Sequence, residues 1–260
     1  MEEEGKKQFI LVHGMCHGAW CWYKLATLLM AAGHRVTMPD LAACGVNPKR
    51  LHELRSFSDY SEPLMEAISS IPSGERVVLV AHSFGGSTVA LAMQRFADKV
   101  SAAIFATAMM PSTTTPFATI GQEFSMKHPP EYFMDSKFVI SQDHEISWKT
   151  ITFGPNYMKE RLYQLCAPED LALATMLVRP SSLFEHDDPL VVSKENYGSV
   201  SRVFVVCKED LAIKEDFQRW MIEQSPEVEV REIEEAGHIV MLSKPKELCS
   251  LLLEIAGKYP

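Results

Sequence analysis

The stretch VVLVAHSFGGS, residues 77–87, decides the fold. Its apolar, β-branched start is typical of a strand buried on both faces of a parallel sheet. Ser83 follows at the end of this run, and Gly85 and Gly86 open a helical pattern. A reactive hydroxyl is thus predicted at the carboxyl end of a buried strand, on a turn almost free of side chains.

This stretch matches the nucleophile elbow, a small-x-Ser-x-Gly pattern on a sharp strand-to-helix turn. Ala81 stands where the pattern usually has glycine, and the methyl group is the smallest side chain that could replace it. A five-residue match has little specificity by itself. The prediction therefore depends on the strand before it, the helix after it and the partners further along the chain.

Strand-like runs alternate with helical patterns over most of the chain. The runs lie at residues 8–14, 34–40, 75–83, 100–110, 199–210 and 228–238. Continuous apolar strands separated by helices of ten or more residues predict an α/β fold, with a mostly parallel sheet and helices on both faces.

The alternation is interrupted once, at residues 111–198, which are rich in Met and Phe. We interpret this segment as short helices and loops without a clear strand. An insertion after a central strand predicts a helical cap over the carboxyl ends of the strands, where α/β sheets bind ligands. Residues 1–110 and 199–260 would then form the core and 111–198 the cap.

An acid and a histidine follow Ser83 in the order that a nucleophilic serine requires. Asp210 comes just after one predicted strand and His238 after the next. The histidine would act as the base and the acid would orient it. Glu209 and Asp216 are alternative acids, although Glu209 is one residue from the loop position and Asp216 falls in a helical pattern.

Two backbone N–H groups are candidates for an oxyanion hole. One is that of Phe84, directly after the serine, and the other is that of Met15, in the loop after the first strand. We expect His13, His17 and His82 to form hydrogen bonds in these loops rather than to act as catalysts.

Composition excludes several classes of function. An apolar fraction of 47% suffices for a full core, and a net charge of −9 without a basic cluster disfavours nucleic acid and anionic membranes as partners. The sequence has no run of about 18 apolar residues, so no membrane span is predicted. The acidic start MEEEGKKQF is not typical of a signal peptide, so we expect a cytoplasmic protein whose six cysteines are reduced. No metal-ligand spacing is present, so neither metal nor cofactor is expected.

The chain resembles the plant methylesterases of the α/β-hydrolase fold, a family related to the plant hydroxynitrile lyases. The similarity is end to end and most specific in FILVHGMCHGAWCWYKL, AAGHRVTMPDLAACGVNP, DYSEPLMEAI, LYQLCAPEDLALATMLVRPSSLF and EDFQRW. The resemblance implies a cap domain, a mostly apolar pocket and a serine carboxylesterase acting on small methyl esters. Relatives are often dimers, so a homodimer is one expectation.

The resemblance assigns roles to individual positions. The triad falls on Ser83, Asp210 and His238, and the oxyanion donors on Met15 and Phe84. The substrate-binding positions that it implies are Met109, Phe124, Phe133, Phe138, Leu183 and Ile239. Met15 stands where relatives often have a smaller residue, and Phe133 where they often have tryptophan.

Other readings stay open at this stage. A small-acid receptor with vestigial hydrolysis and an esterase of a bulkier alkaloid or polyketide ester are the alternatives. A released β-keto acid would be able to decarboxylate. Hydroxynitrile lyase activity is disfavoured. The resemblance implies that the related lyases need a threonine after the histidine of the first strand and a lysine after the catalytic histidine, and this chain has Gly14 and Ile239 at these positions.

Overall fold

The computed structural model describes residues 5–143, 146–184, 190–225 and 227–259. Its centre is a six-stranded sheet in the order β2-β1-β3-β4-β8-β9, in which all neighbouring strands pair in parallel. The predicted α/β fold is confirmed. Its strands are β1 (Gln8–Val12), β2 (Arg35–Thr37), β3 (Val77–Ser83), β4 (Val100–Ala108), β8 (Ser201–Cys207) and β9 (Glu229–Ile233).

Helices cover both faces of this sheet. Alternate strand residues point to opposite sides: Ile10 and Leu79 join one apolar cluster, whereas Phe9 and Val78 join the other. Both sides of each central strand are therefore buried, which explains the continuous apolar runs of the sequence. The helices are α1 (Tyr23–Ala31), α2 (Phe57–Ser69), α3 (Gly85–Arg95), α7 (Glu215–Glu223), α8 (Val240–Ser243) and α9 (Pro245–Lys258).

The segment 111–198, which we call the insertion, contains strands as well as helices. Its strands β5 (Lys137–Asp143), β6 (Ile146–Thr152) and β7 (Ser181–Ser182) form a separate antiparallel sheet. Its helices are α4 (Phe117–Lys127), α5 (Pro155–Tyr157), α6 (Pro168–Leu177) and a π-helical turn at Met158–Leu162.

The prediction that the insertion lacks strands was wrong. Strand β5 is an edge strand on which Val139 and Ile140 are exposed, so it needs neither a buried apolar run nor strict alternation. Patterns that depend on burial cannot reveal such a strand.

A buried carboxylate makes one of the polar connections between the insertion and the core. Asp170 of α6 is buried and accepts hydrogen bonds from the Tyr23 hydroxyl at 2.7 Å and the Lys24 ammonium at 2.6 Å. A buried carboxylate needs such partners, and here both come from α1. Among the residues that the structure describes, no helix is both long and apolar enough to cross a membrane.

Candidate active site

Ser83 lies on a strained turn between β3 and α3. Its φ is 54°, in the left-handed region that non-glycine residues rarely adopt. The strand ends at Ser83, and α3 begins two residues later, at Gly85. Ala81 is completely buried within β3 and does not prevent this turn. The backbone strain lifts the serine out of the sheet, where its side chain stays partly exposed.

Two glycines let other segments approach the turn. A Cβ atom on Gly14 would lie 2.7 Å from the Cβ of Ser83 and 3.2 Å from its Oγ. A Cβ on Gly86 would lie 2.0 Å from the carbonyl oxygen of Met109. Side chains at these positions would separate the loop after β1 and the end of β4 from the nucleophile.

Asp210 is the acid that the fold brings to His238. Its Oδ2 accepts a hydrogen bond from the Nδ1 of His238 at 2.7 Å and another from the Thr107 hydroxyl at 2.5 Å. Its Oδ1 accepts from the backbone N–H groups of Ala212 and Ile213 at 2.7 and 2.8 Å. Four donors stabilise the ionised carboxylate, which is only 2% exposed.

Neither alternative acid occupies this position. Glu209 is exposed; its backbone carbonyl accepts a hydrogen bond from Gln164, and its N–H donates to Ala236. Asp216 lies in the first turn of α7 with an exposed side chain. The hydrogen bond between residues 209 and 236 joins the two loops that carry Asp210 and His238.

The contact with Asp210 fixes the tautomer of His238. A carboxylate oxygen only accepts hydrogen bonds, so Nδ1 carries the proton and the neutral ring leaves Nε2 with a free lone pair. The ring is 4% exposed. An imidazole oriented in this way can take a proton through Nε2, while the carboxylate stabilises the imidazolium that forms.

The two predicted oxyanion donors lie on chain segments next to Ser83, and their role stays a prediction. Phe84 has helical dihedrals at the start of α3, where backbone N–H groups have no partner within the helix. Met15 lies in the loop whose Gly14 meets the serine. Neither N–H donates a hydrogen bond to another described residue.

His13 orients the peptide that contains the Met15 N–H. The backbone N–H of Leu41 donates to its Nε2 at 3.1 Å, which leaves the proton on Nδ1. Nδ1 then donates to the Gly14 carbonyl at 2.8 Å. Because the C=O and N–H of one trans peptide point in opposite directions, this bond fixes the direction of the Met15 N–H. Burial lowers the pKa of His13, so the ring is neutral at pH 7.

Three of the predicted pocket residues form a row of aromatic rings in the insertion. Phe124 meets Phe133 with a centroid distance of 6.4 Å, and Phe133 meets Phe138 at 5.3 Å. Phe138 is 37% exposed on the edge strand β5. The structure brings these three rings together, and their contact with an acyl group stays a prediction.

The other three lie on separate elements. Met109 follows β4, and its N–H donates to the Ser83 carbonyl at 2.9 Å. The N–H of Leu183 donates to the carbonyl of Lys149 at 2.9 Å, which holds it beside β6. Ile239 has no exposed surface and belongs to an apolar core cluster. The structure therefore does not place Ile239 at an accessible surface.

Some residues at the site were not singled out from the sequence. Thr107 donates to Asp210 and has a φ of 39°, an outlier for a β-branched residue. Phe117 and Phe184 pack around the Phe84 ring, with centroid distances of 5.6 and 6.5 Å. A polar residue near the end of the apolar strand β4 was the available signal for Thr107. Phe117 and Phe184 had no such signal: Phe117 is the first residue of α4 and Phe184 follows β7, and neither position is marked by a motif.

No group of three or more His, Cys, Asp or Glu residues within the described ranges is arranged to hold a metal ion. All six cysteines are free thiols, and burial raises the pKa of every one of them, that of Cys44 to about 12.

Comparisons with known proteins identify the family of the chain. Residues 9–251 match the model of the alpha/beta hydrolase family. The chain is 47% identical to methyl jasmonate esterase 1 of Vitis vinifera, over 99% of both chains. It is 46% identical to salicylic acid-binding protein 2 of Nicotiana tabacum, also over 99% of both chains.

A solved structure is equally similar. The crystal structure of polyneuridine aldehyde esterase superimposes with a TM-score of 0.94 at 45% identity, covering 96% of this chain and 99% of that one. Fold, sequence and the arrangement around Ser83 lead to one assignment. The chain belongs to the alpha/beta hydrolase family, in its plant methylesterase branch.

Proposed function

We propose that this protein is a serine carboxylesterase that hydrolyses methyl esters of small hydrophobic carboxylic acids. Its relatives are esterases and methylesterases, and the chain is accordingly a carboxylic ester hydrolase. The observation that carries the proposed mechanism is the hydrogen bond of 2.7 Å between Asp210 and His238, with Nε2 of the ring left unprotonated. The strained serine directly precedes Phe84, whose backbone N–H donates no hydrogen bond to another described residue.

Acylation begins with the ester carbonyl beside Ser83. The Oγ attacks the carbonyl carbon while its proton moves to Nε2 of His238. The C=O π bond breaks, and the negative charge that develops on oxygen meets the N–H groups of Met15 and Phe84. Removal of one such donor typically costs about 3 kcal/mol of transition-state stabilisation. The tetrahedral species then collapses: the C=O π bond forms again, the bond to the methoxy group breaks, and His238 gives its proton to the departing oxygen, which leaves as methanol.

Deacylation repeats these steps with water. His238 takes a proton from water, whose oxygen attacks the acyl-enzyme carbonyl. The bond to Oγ then breaks, and Ser83 recovers its proton from the imidazolium. Asp210 keeps the same tautomer of His238 through both halves, so one histidine serves alternately as base and acid.

The proposed substrate class rests on the residues near the nucleophile. Phe84 lies within an aromatic group that includes Phe57, Phe117 and Phe184. We assign the insertion the role of a cap, whose Phe124, Phe133 and Phe138 rings would contact the acyl group. An apolar lining of this kind favours a hydrophobic acid over a charged or sugar-like one.

The proposal is tested with Ser83→Ala and a serine-directed aryl phosphonate. Wild-type protein should release methanol from a panel of aryl and alkyl methyl esters and should incorporate one phosphonate at Ser83, identified by peptide mass. The alanine variant should lose both reactions. Full turnover by the variant, or a label on another residue, would exclude the mechanism.

A second candidate, a receptor for a small acid, is favoured by one observation. A relative at 46% identity is named for binding salicylic acid. In the same panel, tight binding of free acids without methanol release would favour the receptor. Methanol release that depends on Ser83 would favour the esterase.

A further inference from the structure

The loop that carries the oxyanion donor Met15 is held largely by the insertion. The backbone N–H of Arg179 donates to the Cys16 carbonyl at 3.0 Å. The thiol of Cys16 contacts the carbonyl of Ile151 at 3.5 Å. Cys16 itself has a φ of 63°, a strained conformation that surrounding contacts must maintain. The insertion thus holds the loop through contacts with Cys16, one residue after Met15.

A third contact reaches Met15 itself, through His17. The Nδ1 of His17 lies 2.9 Å from the Met15 carbonyl, which only accepts, so Nδ1 carries the proton. Nε2 then accepts from the Tyr163 hydroxyl at 2.8 Å. The ring lies nearly parallel to Trp20, with a centroid distance of 5.3 Å. Both ring nitrogens of His17 therefore form hydrogen bonds, which fixes one tautomer and one orientation of the ring.

Tyr163 belongs to the insertion and has a fixed position of its own. It directly follows the π-helical turn, and its N–H donates to the Met158 carbonyl at 2.8 Å. The side chain is 3% exposed. Isolated π-helical turns are frequent at functional sites, where they redirect a side chain.

The peptides on both sides of Met15 are consequently fixed by histidines. His13 holds the Gly14 carbonyl, in the same peptide as the Met15 N–H, and His17 holds the carbonyl of Met15. His13 is anchored by the core, through Leu41, whereas His17 is anchored by the insertion, through Tyr163. The dihedral angles of Met15 thus depend on the relative positions of core and insertion.

We propose that Tyr163, acting through His17, is a positioning residue that aims the Met15 N–H at the oxyanion. The insertion then does more than cover an acyl group, because its placement determines whether the oxyanion hole is complete. This inference rests on the proposed function, since it requires that the Met15 N–H stabilises an oxyanion.

The test compares Tyr163→Phe with Tyr197→Phe. Tyr197 is equally buried, and its hydroxyl donates to the Pro111 carbonyl at 2.5 Å, so its variant also loses one buried hydrogen bond to a chain segment of the insertion. Trifluoroacetophenone probes the hole: Ser83 Oγ adds to its carbonyl carbon, the C=O π bond breaks, the serine proton moves to His238 and an oxyanion forms. Benzoate carries the same phenyl group but needs no such charge development.

For Tyr163→Phe we expect kcat/KM to fall about 10- to 100-fold, with an equal rise in the inhibition constant for trifluoroacetophenone. The dissociation constant of benzoate should change by less than about threefold, because the contacts with its phenyl group do not depend on the direction of the Met15 N–H. Tyr197→Phe should lose stability, but its affinity for trifluoroacetophenone should not fall relative to its affinity for benzoate. The inference would be overturned if Tyr163→Phe kept its affinity for trifluoroacetophenone, or lost affinity for both probes equally.

If the Tyr163→Phe variant does not fold, a second pair of variants, at His17, tests the same inference. His17→Asn keeps a donor near the Met15 carbonyl, whereas His17→Leu does not, so the asparagine variant should retain more affinity for trifluoroacetophenone. Equal losses would contradict the inference. Phosphonate labelling of wild-type Ser83 is measured first. An unlabelled wild type would refute the proposed function, whereas a labelled wild type with an unaffected Tyr163→Phe would refute only this inference.

Discussion

The Nε2 of His82 lies 2.8 Å from the main-chain carbonyl oxygen of His238. Since a carbonyl only accepts, Nε2 carries the proton. Burial, followed by the proximity of His238, lowers the pKa of His82 well below its ordinary value, so the ring is neutral. The two rings are 4.6 Å apart. His82 directly precedes Ser83, so one hydrogen bond joins the nucleophile's strand to the loop of the proposed base, 156 residues away.

Two replacements of His82 should distinguish its role in positioning His238 from its role in packing. His82→Leu leaves the buried His238 carbonyl without a donor, and we expect a loss of about 1–3 kcal/mol of unfolding free energy. Its kcat should fall about 10-fold or more, because the base loses its register with the serine. His82→Gln can place an N–H near the position of Nε2 and should recover most of kcat. Equal kcat values for the two variants, measured by methanol release, would contradict this role.

Asp210→Asn should retain the fold and lose most of the activity. An amide at this position can present its N–H to Nδ1 of His238 and thus favour the wrong tautomer, a change that costs a triad of this kind about 10⁴-fold in kcat. Glu209→Gln and Asp216→Asn are the matched controls, because both side chains are exposed. They should keep kcat within about twofold of wild type. A large loss in either control would reassign the acid.

Thr107→Val tests the second donor to the same carboxylate oxygen. Valine has nearly the shape of threonine but lacks the hydroxyl that lies 2.5 Å from Oδ2 of Asp210. Three donors remain, so we expect a moderate loss of kcat, about 3- to 10-fold, at the cost of one hydrogen bond to a charged group. Thr107→Ser restores the donor and should restore activity. If Thr107→Val had the same kcat as Thr107→Ser, the hydroxyl would have no role.

The large sheet and the order of its polar loops were accessible from sequence, because burial imposes regular patterns on strands. Val77–Ser83 needed a continuous apolar run, and parallel pairing brings the carboxyl ends of neighbouring strands to one edge. Asp210 and His238 follow two neighbouring parallel strands, Ser201–Cys207 and Glu229–Ile233, and meet at that edge. Strand β5 could not be predicted in this way, because its Val139 and Ile140 are exposed and burial imposes no pattern on them.

The contacts that refine the site depend on details that no pattern carries. The tautomers of His13 and His82 are set by partners 28 and 156 residues away. The direction of a hydroxyl such as that of Thr107 depends on a backbone angle of 39°, which the local sequence does not favour. Sequence reasoning assigned these histidines to hydrogen bonding but could not name what they bind.

Stability should decrease in mild acid because of the buried histidines. Burial lowers the pKa of His13, lowers that of His17 to about 4 and lowers that of His82 well below its ordinary value. The unfolded chain takes up these protons near about pH 6.5, whereas the folded chain does not until the pH is much lower. The unfolded state therefore binds more protons, and the unfolding free energy falls as the pH drops below about 6.5.

Each such histidine contributes a slope of about 1.4 kcal/mol per pH unit between its two pKa values, which for His17 is the range from about 6.5 to about 4. Urea unfolding at several pH values measures this slope. His82→Gln should flatten it, whereas the exposed His52→Gln should not. An unchanged slope in His82→Gln would mean that His82 titrates alike in both states.

Gly14→Ala should abolish activity through a single methyl group. The new Cβ would lie 2.7 Å from the Cβ of Ser83, a distance that forces the loop after β1 away from the nucleophile. Because this loop carries the Met15 N–H, the displacement removes an oxyanion donor, and kcat/KM should fall about 100-fold or more. Gly121→Ala is the matched control: it lies within α4, and a Cβ there meets no atom within 4 Å.

The control should keep wild-type kcat/KM and gain up to about 1 kcal/mol of unfolding free energy, since alanine favours a helix more than glycine does. Gly14→Ala should still bind benzoate while its affinity for trifluoroacetophenone falls in step with kcat/KM. If the alanine variant turned over methyl esters at the wild-type rate, the oxyanion would have to be held by donors other than Met15, and the assignment of this loop would be wrong.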